Sequence, residues 1–417
     1  MEEPSPSQTS IVAGMGSCYA LGTFTDNFYK QAAILLAAST QMTSMQSIAT
    51  VLFSLPFIAF SAWAGWLADR MVKKHIVVAA KSMELLAMLF GGLMLVRGNW
   101  AGILAVIFFM GTQSTIFSPA LNGSIPENFP AAQVPRVNSL IKLASTAAIL
   151  AGMALAGVFL DFTPTSLGGI LPDFGLAESA AAVPASDGGP VPVSAYGRAV
   201  ASAFIVIIAL LGLLTAFILR KKPAASSGGP NTAPFPWTGP LDSVRHTLEC
   251  RKDPSLFLAL LAEAWFYGIA AVAVISVANL TTGLGYSNTV ASLVTAVLMI
   301  GIAAGSLIAG RCSADSWRRL LLPAGTGMGL MLMLTSLAPS LPTAGPNPQL
   351  CWIFICLGLS GLCGGIYLIP LASYVQVRPA AHEKGRILGV SNFMSFSAMA
   401  LFGAAFQLIS LLPPALT

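Results

Sequence analysis

A chain of 417 residues, 55% apolar and only 9% Asp, Glu, Lys or Arg, cannot clothe a water-soluble surface, because soluble domains are about 25% charged. The mean hydropathy of +0.78 points the same way. These values exclude a cytosolic enzyme, a nucleic-acid binder and a disordered protein, whereas 39 Gly and 27 Pro fit a helical membrane protein.

The N-terminus, Met1-Glu-Glu-Pro, is acidic where a signal peptide is basic, so the first apolar run is expected to be a retained span. A span needs about 20 mostly apolar residues. Eleven runs qualify: 11–38, 46–67, 75–96, 100–117, 138–160, 196–219, 255–280, 289–310, 317–338, 350–374 and 385–411. With the N-terminus inside, the inner connections hold Arg70, Lys73, Lys74, Arg136, Arg220, Lys221, Lys222, Arg245, Arg251, Lys252, Arg311, Arg318, Arg319, Arg378, Lys384 and Arg386. Only Arg97 and Arg198 lie on the outer side, and this asymmetry sets a cytoplasmic N-terminus. The outer loop 161–196 reads as irregular, with Gly, Pro, Ala and Ser dominant and no Lys or Arg before Arg198.

The chain divides into a six-span half over 1–222, a linker over 223–254 and a second half over 255–417. Within the linker, Leu241, Val244 and Leu248 recur at i, i+3, i+7 beside Arg245, Arg251 and Lys252, which predicts a short amphipathic helix near anionic lipid. Asp253-Pro254 supplies an N-cap and a first-turn proline for the seventh span. The halves repeat. Pro119, Pro130-Ala-Ala, Arg136 and Asn138 are echoed by Pro370, Pro379-Ala-Ala, Arg386 and Asn392, and Leu67-Ala-Asp-Arg70 by Ile308-Ala-Gly-Arg311. Such a parallel repeat makes the expected fold all-α, a major facilitator architecture of two six-span halves. The second half shows five spans, so the twelfth is missing from this chain and the parent sequence is expected to continue.

Gly65-Trp-Leu-Ala-Asp-Arg-Met-Val-Lys-Lys-His-Ile76 resembles the G-x-L-A-D-R-x-G-R-K motif of the major facilitator superfamily. The resemblance implies that Asp69, Arg70 and Lys73 belong to a conformational latch. Phe24-Thr-Asp-Asn-Phe-Tyr-Lys-Gln31, Phe117-Ser-Pro-Ala-Leu-Asn-Gly-Ser-Ile-Pro-Glu127 and the stretch from Gln376 to Phe393 are similar to the bacterial lysophospholipid transporter family. Leu121 stands where that family has a Lys, and Asn122 where it has Tyr; restoring Lys at 121 is expected to favour anionic headgroups. The family resemblance implies transport of lysophospholipids, notably lysophosphatidylethanolamine, to the inner leaflet of the bacterial inner membrane. It also implies an acyltransferase or acyl-ACP synthetase as partner or fusion.

Charges inside apolar runs face a cavity or a partner, because each costs about 2.5–3.5 kcal/mol at mid-bilayer. Asp26 and Lys30 are i, i+4 with Asn27 between them, either a headgroup site or a mutually neutralised pair. Glu263, with Tyr267 one turn on, is a headgroup or proton site. Lys81 and Glu84 are either helix-packing glue or gate residues, with Lys81 snorkelling to the inner face, and Lys142 is expected to snorkel as well. Arg136 and Arg386, at matching places in the repeat, join the gate. Thr115 and Asn122 on the fourth span and Tyr367 on the tenth complete the candidate substrate-binding set. No Walker loop, triad or metal spacing is present, and no cofactor is expected. Beside the flippase reading stand a proton-coupled transporter of a soluble solute or drug and a membrane anchor for an acyltransferase.

Overall fold

The computed structural model describes residues 6–40, 42–160, 193–219, 235–283, 288–337 and 348–410. Most of the outer loop 161–196 and of the linker's first part lies outside the described residues. Twelve α-helices follow in order: α1 (Pro6–Ser39), α2 (Thr43–Arg70), α3 (Lys73–Arg97), α4 (Trp100–Asn128), α5 (Val134–Leu160), α6 (Ala195–Ile218), α7 (Pro240–Glu249), α8 (Pro254–Gly283), α9 (Asn288–Ala309), α10 (Trp317–Ser336), α11 (Pro348–Val377) and α12 (Lys384–Ser410). Eleven of these are long and match the eleven apolar runs. Eight of the described helices meet the length and hydropathy of a span individually, and α9 with α10 adds a bent pair.

The helix ends follow local chemistry. Asn99 accepts from the Gly102 N–H at 2.9 Å, and Ser194 from Gly197 at 2.9 Å, each side chain satisfying an orphan donor of a first turn. Asp253 caps α8 through the Ser255 and Leu256 N–H groups, as its position before Pro254 predicts. Gly98 closes α3 at φ 63°, a left-handed geometry that glycine adopts without penalty.

Packing repeats across the chain: α1 against α5 and α8 against α12, α2 against α4 and α9 against α11. The two sets meet along α2–α12 and α5–α9. In the first set Phe28, Tyr29, Met88, Ile107 and Ile205 interlock, and in the second Leu260, Phe266, Trp317 and Leu371. Leu86, Leu89, Phe90, Ile207, Leu214, Leu261 and Met333 instead stand exposed, the outward apolar face of a bundle whose solvent is hydrocarbon. Between α9 and α11, Gly301 and Gly305 meet Gly361 and Gly365 backbone to backbone, the small-residue contact that drives helix pairing in lipid.

The short helix α7 turns Leu241, Val244 and Leu248 away from the bundle, while Ser243 is buried. The preceding Phe235-Pro-Trp237 segment is pinned to α2. Trp63 Nε1 donates to the Pro236 carbonyl at 2.6 Å, and the Phe235 ring sits 5.0 Å from that of Trp66.

Candidate functional site

A cavity of about 640 Å³ lies between the two packing sets, walled by α1, α2, α4, α5, α8, α11 and α12, with Lys81 and Glu84 reaching it from α3. At the end that carries the basic loops it is closed in layers. Asn138 donates to Ser373 Oγ at 2.8 Å and to Gln376 Oε1 at 3.1 Å, bridging α5 and α11. Asn392 donates to Ser118 Oγ at 3.2 Å, bridging α12 and α4. Below them Asp69 accepts the backbone N–H groups of Gly385 at 2.5 Å and Arg386 at 2.8 Å. These are first-turn donors of α12, where orphan N–H groups and the helix dipole both favour a carboxylate. Gly65 lies against the Gly385 backbone and Gly389 against Ser61, so the latch is reached only because α2 and α12 touch without side chains between them.

Toward the opposite end apolar side chains dominate the wall, with Gln31, Thr50 and Ser54 among them. Phe57 and Phe396 stack across α2 and α12 at 3.8 Å, and Ile34, Phe53, Met153 and Met399 continue the lining. Ile34 and Ala49 fall within two turns of that end of α1 and α2, so the cavity reaches almost the full depth of that side.

Charge sits at the middle. Asp26 accepts from Ser114 Oγ at 2.8 Å, and Ser114 in turn from Gln113 Nε2 at 2.8 Å. Asp26 Oδ1 has no partner among the described residues. Lys30 makes no ion pair with Asp26; its Nζ lies 4.0 Å from the Phe53 ring centroid instead. Asn27 lines the cavity while donating one amide hydrogen to its own helix at Thr23. From α8, Glu263 accepts from Ser391 Oγ at 2.7 Å, and Tyr267 lines the wall beside it. Each set thus contributes one carboxylate from its first helix, held by a serine hydroxyl.

Several sequence expectations change here. Lys81 does not snorkel: it is 0% exposed and paired with Glu84 at 2.7 Å on the cavity wall, well away from the latch. Lys142 lines the cavity rather than reaching the surface. Thr115 and Tyr367 are turned from the cavity; the first donates to Gly111 at 2.7 Å, the second to Ala262 at 3.0 Å. Asn122 does line it, donating to Ser118 at 3.3 Å. Leu121 is fully buried in a cluster with Met15, Ile125 and Val137, so a Lys placed there would enter packed core and could not reach a headgroup. In the latch region Arg70 lies over Trp66, Lys73 pairs with Glu127, and Arg386 reaches Glu383 at 2.6 Å and Glu249 of α7 at 3.4 Å. Arg136 stands in the first turn of α5 with its Cα against Gly310. Gln113, Ser114, Ser391 and Ser395 are cavity residues the sequence did not mark. A lone Ser or Gln on an apolar helix carries no signal until its face is known.

The sequence pattern of the Major Facilitator Superfamily matches residues 14–404. The chain belongs to that superfamily. It is similar to the lysophospholipid transporter LplT of Yersinia pestis (strain Pestoides F) and of Yersinia pseudotuberculosis serotype O:3 (strain YPIII). Both are 24% identical over 376 residues, which is 87% of this chain and 78% of each relative. Among solved structures, the human organic anion transporter MFSD10 superposes with a TM-score of 0.71 at 14% identity, covering 96% of this chain and 94% of that one. The superfamily transporter FucP, in the outward conformation, superposes with a TM-score of 0.69 at 14% identity, covering 96% and 91%. These likenesses show the fold, and the chain is a multi-pass membrane transporter.

Proposed function

We propose that this transporter moves lysophospholipids across the bacterial inner membrane by alternating access. The observation that carries the reading is the polarity gradient of the cavity. Carboxylates and lysines sit at its middle and floor, whereas the far half carries Ile34, Phe53, Phe57, Met153, Phe396 and Met399 with only the uncharged polar groups of Gln31, Thr50 and Ser54 among them. An amphiphile fits that gradient with its headgroup deep and its acyl chain against Phe53, Phe57, Met153 and Met399. The similarity to the two Yersinia proteins supports the same substrate class. The positive charge of the loops at the closed end supports reading that end, and the N-terminus with it, as cytoplasmic and the described state as outward-facing. Rocking of residues 1–222 against 255–417, tethered by 223–254, would release the headgroup to the inner leaflet, where an acyltransferase, separate or fused, would use it.

Asp26 and Lys30 are candidates for contact with the substrate on its path through the cavity, because no ion pair joins them and Asp26 Oδ1 has no partner among the described residues. Uptake of labelled lysophosphatidylethanolamine into proteoliposomes tests the reading, with a soluble cationic drug as control. Wild-type uptake of the lipid, lost in Asp26→Asn and in Lys30→Ala with normal insertion, is the expected result. Uptake of the drug alone would instead support proton-coupled solute transport, which the two serine-held carboxylates also suit.

A further inference from the structure

Three lysines face the cavity, and two of them are engaged. Lys81 is paired with Glu84, and Lys30 lies over Phe53. Lys142, in the third turn of α5, has no hydrogen-bond or ion-pair partner for its Nζ among the described residues. It shares its helix face with Asn138 at i−4, Ser145 at i+3 and Ile149 at i+7, all on the cavity wall. Asn138 is tied to α11 in the floor, so Lys142 stands one turn above the closed end. The second half contributes no cation to the described lining, only Glu263. The lining is therefore uneven in charge, with an unpaired lysine on α5 and a carboxylate on α8.

An ammonium that no side chain of the protein engages is free to pair with an anion that enters the cavity. We propose that Lys142 is the phosphate-binding group of this cavity, holding the phosphodiester of a zwitterionic lysolipid against α5 while Glu263 receives its ammonium. This rests on the lysophospholipid reading and adds to it the group that selects for phosphate. Ser145, one turn along, offers a hydroxyl to the same oxygens, although it now donates to the Lys142 carbonyl at 2.9 Å.

Binding of four probes to the purified full chain in nanodiscs tests the assignment: lysophosphatidylethanolamine, lysophosphatidic acid and a monoacylglycerol of the same acyl chain, and inorganic phosphate. Lys142→Met should weaken lysophosphatidylethanolamine binding about 10- to 100-fold, the usual loss for a charge-assisted hydrogen bond. Monoacylglycerol binding should not change, which also shows that the variant is folded. Lys142→Arg should stay within a few-fold of wild type. Glu263→Gln should bind lysophosphatidic acid relatively better than lysophosphatidylethanolamine. Wild-type affinity in Lys142→Met would overturn the assignment. A wild-type chain that binds inorganic phosphate through Lys142 but no lysophospholipid would overturn the lipid reading and keep the anion site.

Discussion

Two seams join the halves at the basic end, and the repeat relates them, α2 against α12 and α9 against α5. Asp69 near the end of α2 has Gly310, just past α9, as its counterpart in the repeated Leu67-Ala-Asp-Arg70 and Ile308-Ala-Gly-Arg311. At the first seam a carboxylate accepts two N–H groups from the first turn of α12. At the second there is no acid, and Gly310 simply abuts Ser139 and the Arg136 backbone of α5. One contact is electrostatic and the other steric. In the alternating-access cycle proposed above, the first would have to give up its charge-assisted hydrogen bonds for the basic end to open. The second only requires that nothing stand between two helices.

The largest effect is expected at the electrostatic seam. Asp69→Asn keeps an acceptor but loses the charge and forces an amide NH₂ toward one of the two N–H donors. Hydrogen bonds to charged groups contribute about 1.5–3 kcal/mol, so the state closed at the basic end loses population, its re-formation limits the cycle, and a roughly tenfold or greater slowing of transport is expected. Substrate binding should be nearly intact, because Asp69 lies below the floor bridges and outside the cavity lining. Initial uptake rates measured beside ligand affinity check this. Normal uptake would reduce the acid to a topological marker and erase the difference between the seams.

A smaller effect is expected at the steric seam. In Gly310→Ala the new methyl meets the Ser139 side chain, so transport should slow by a few-fold. Ser139→Gly in the same chain should restore the rate, since it vacates the space the methyl needs. No such space-making change should rescue Asp69→Asn. Rescue in both backgrounds, or in neither, would show that the seams work alike.

The apolar runs, the basic loops and the repeat made the fold legible before any coordinates, because a bilayer leaves the chain few options. The motif singles out Asp69, and the structure has it bridge α2 and α12, but its partners are not legible in the sequence. A search for ion pairs looks for cationic side chains, and the donors here are backbone N–H groups that every sequence contains. Lys81 and Lys142 were misplaced for a common reason. Distance from a helix end predicts snorkelling only when the side chain faces lipid, and both face inward. Thr115 fails as a cavity residue because its face of α4 is buried in the packing, where its hydroxyl is satisfied on the preceding turn at Gly111. The Leu121 expectation aligned a residue without its face: the helix places Ser118 and Asn122 on the cavity and Leu121 in the core.

The smallest effect should come from a contact at the basic end that crosses no seam, which makes it the control for the other two. Asp253 caps α8 through one oxygen and accepts Arg378 Nε through the other at 2.8 Å, tying α8 to the end of α11 in the same half. Burial works to raise its pKa, but the Arg378 bond and the Leu256 and Ser255 N–H groups prevail and hold it below the ordinary 3.8. A depressed carboxylate stabilises the fold above its unfolded pKa and loses that contribution as pH falls below it. The contribution should therefore be constant through neutral pH and fade only below about pH 4. Arg378 is 52% exposed, so the ion pair itself should add little. Asp253→Asn, which keeps a capping oxygen, should melt within a degree or two of wild type, whereas Asp253→Ala should lose about 1 kcal/mol with the cap. Neither should change the uptake rate, because α8 and α11 travel together as the basic end opens. A slowed Asp253→Asn would mean that this half deforms during transport, and the seams would then no longer be the only hinges of the cycle.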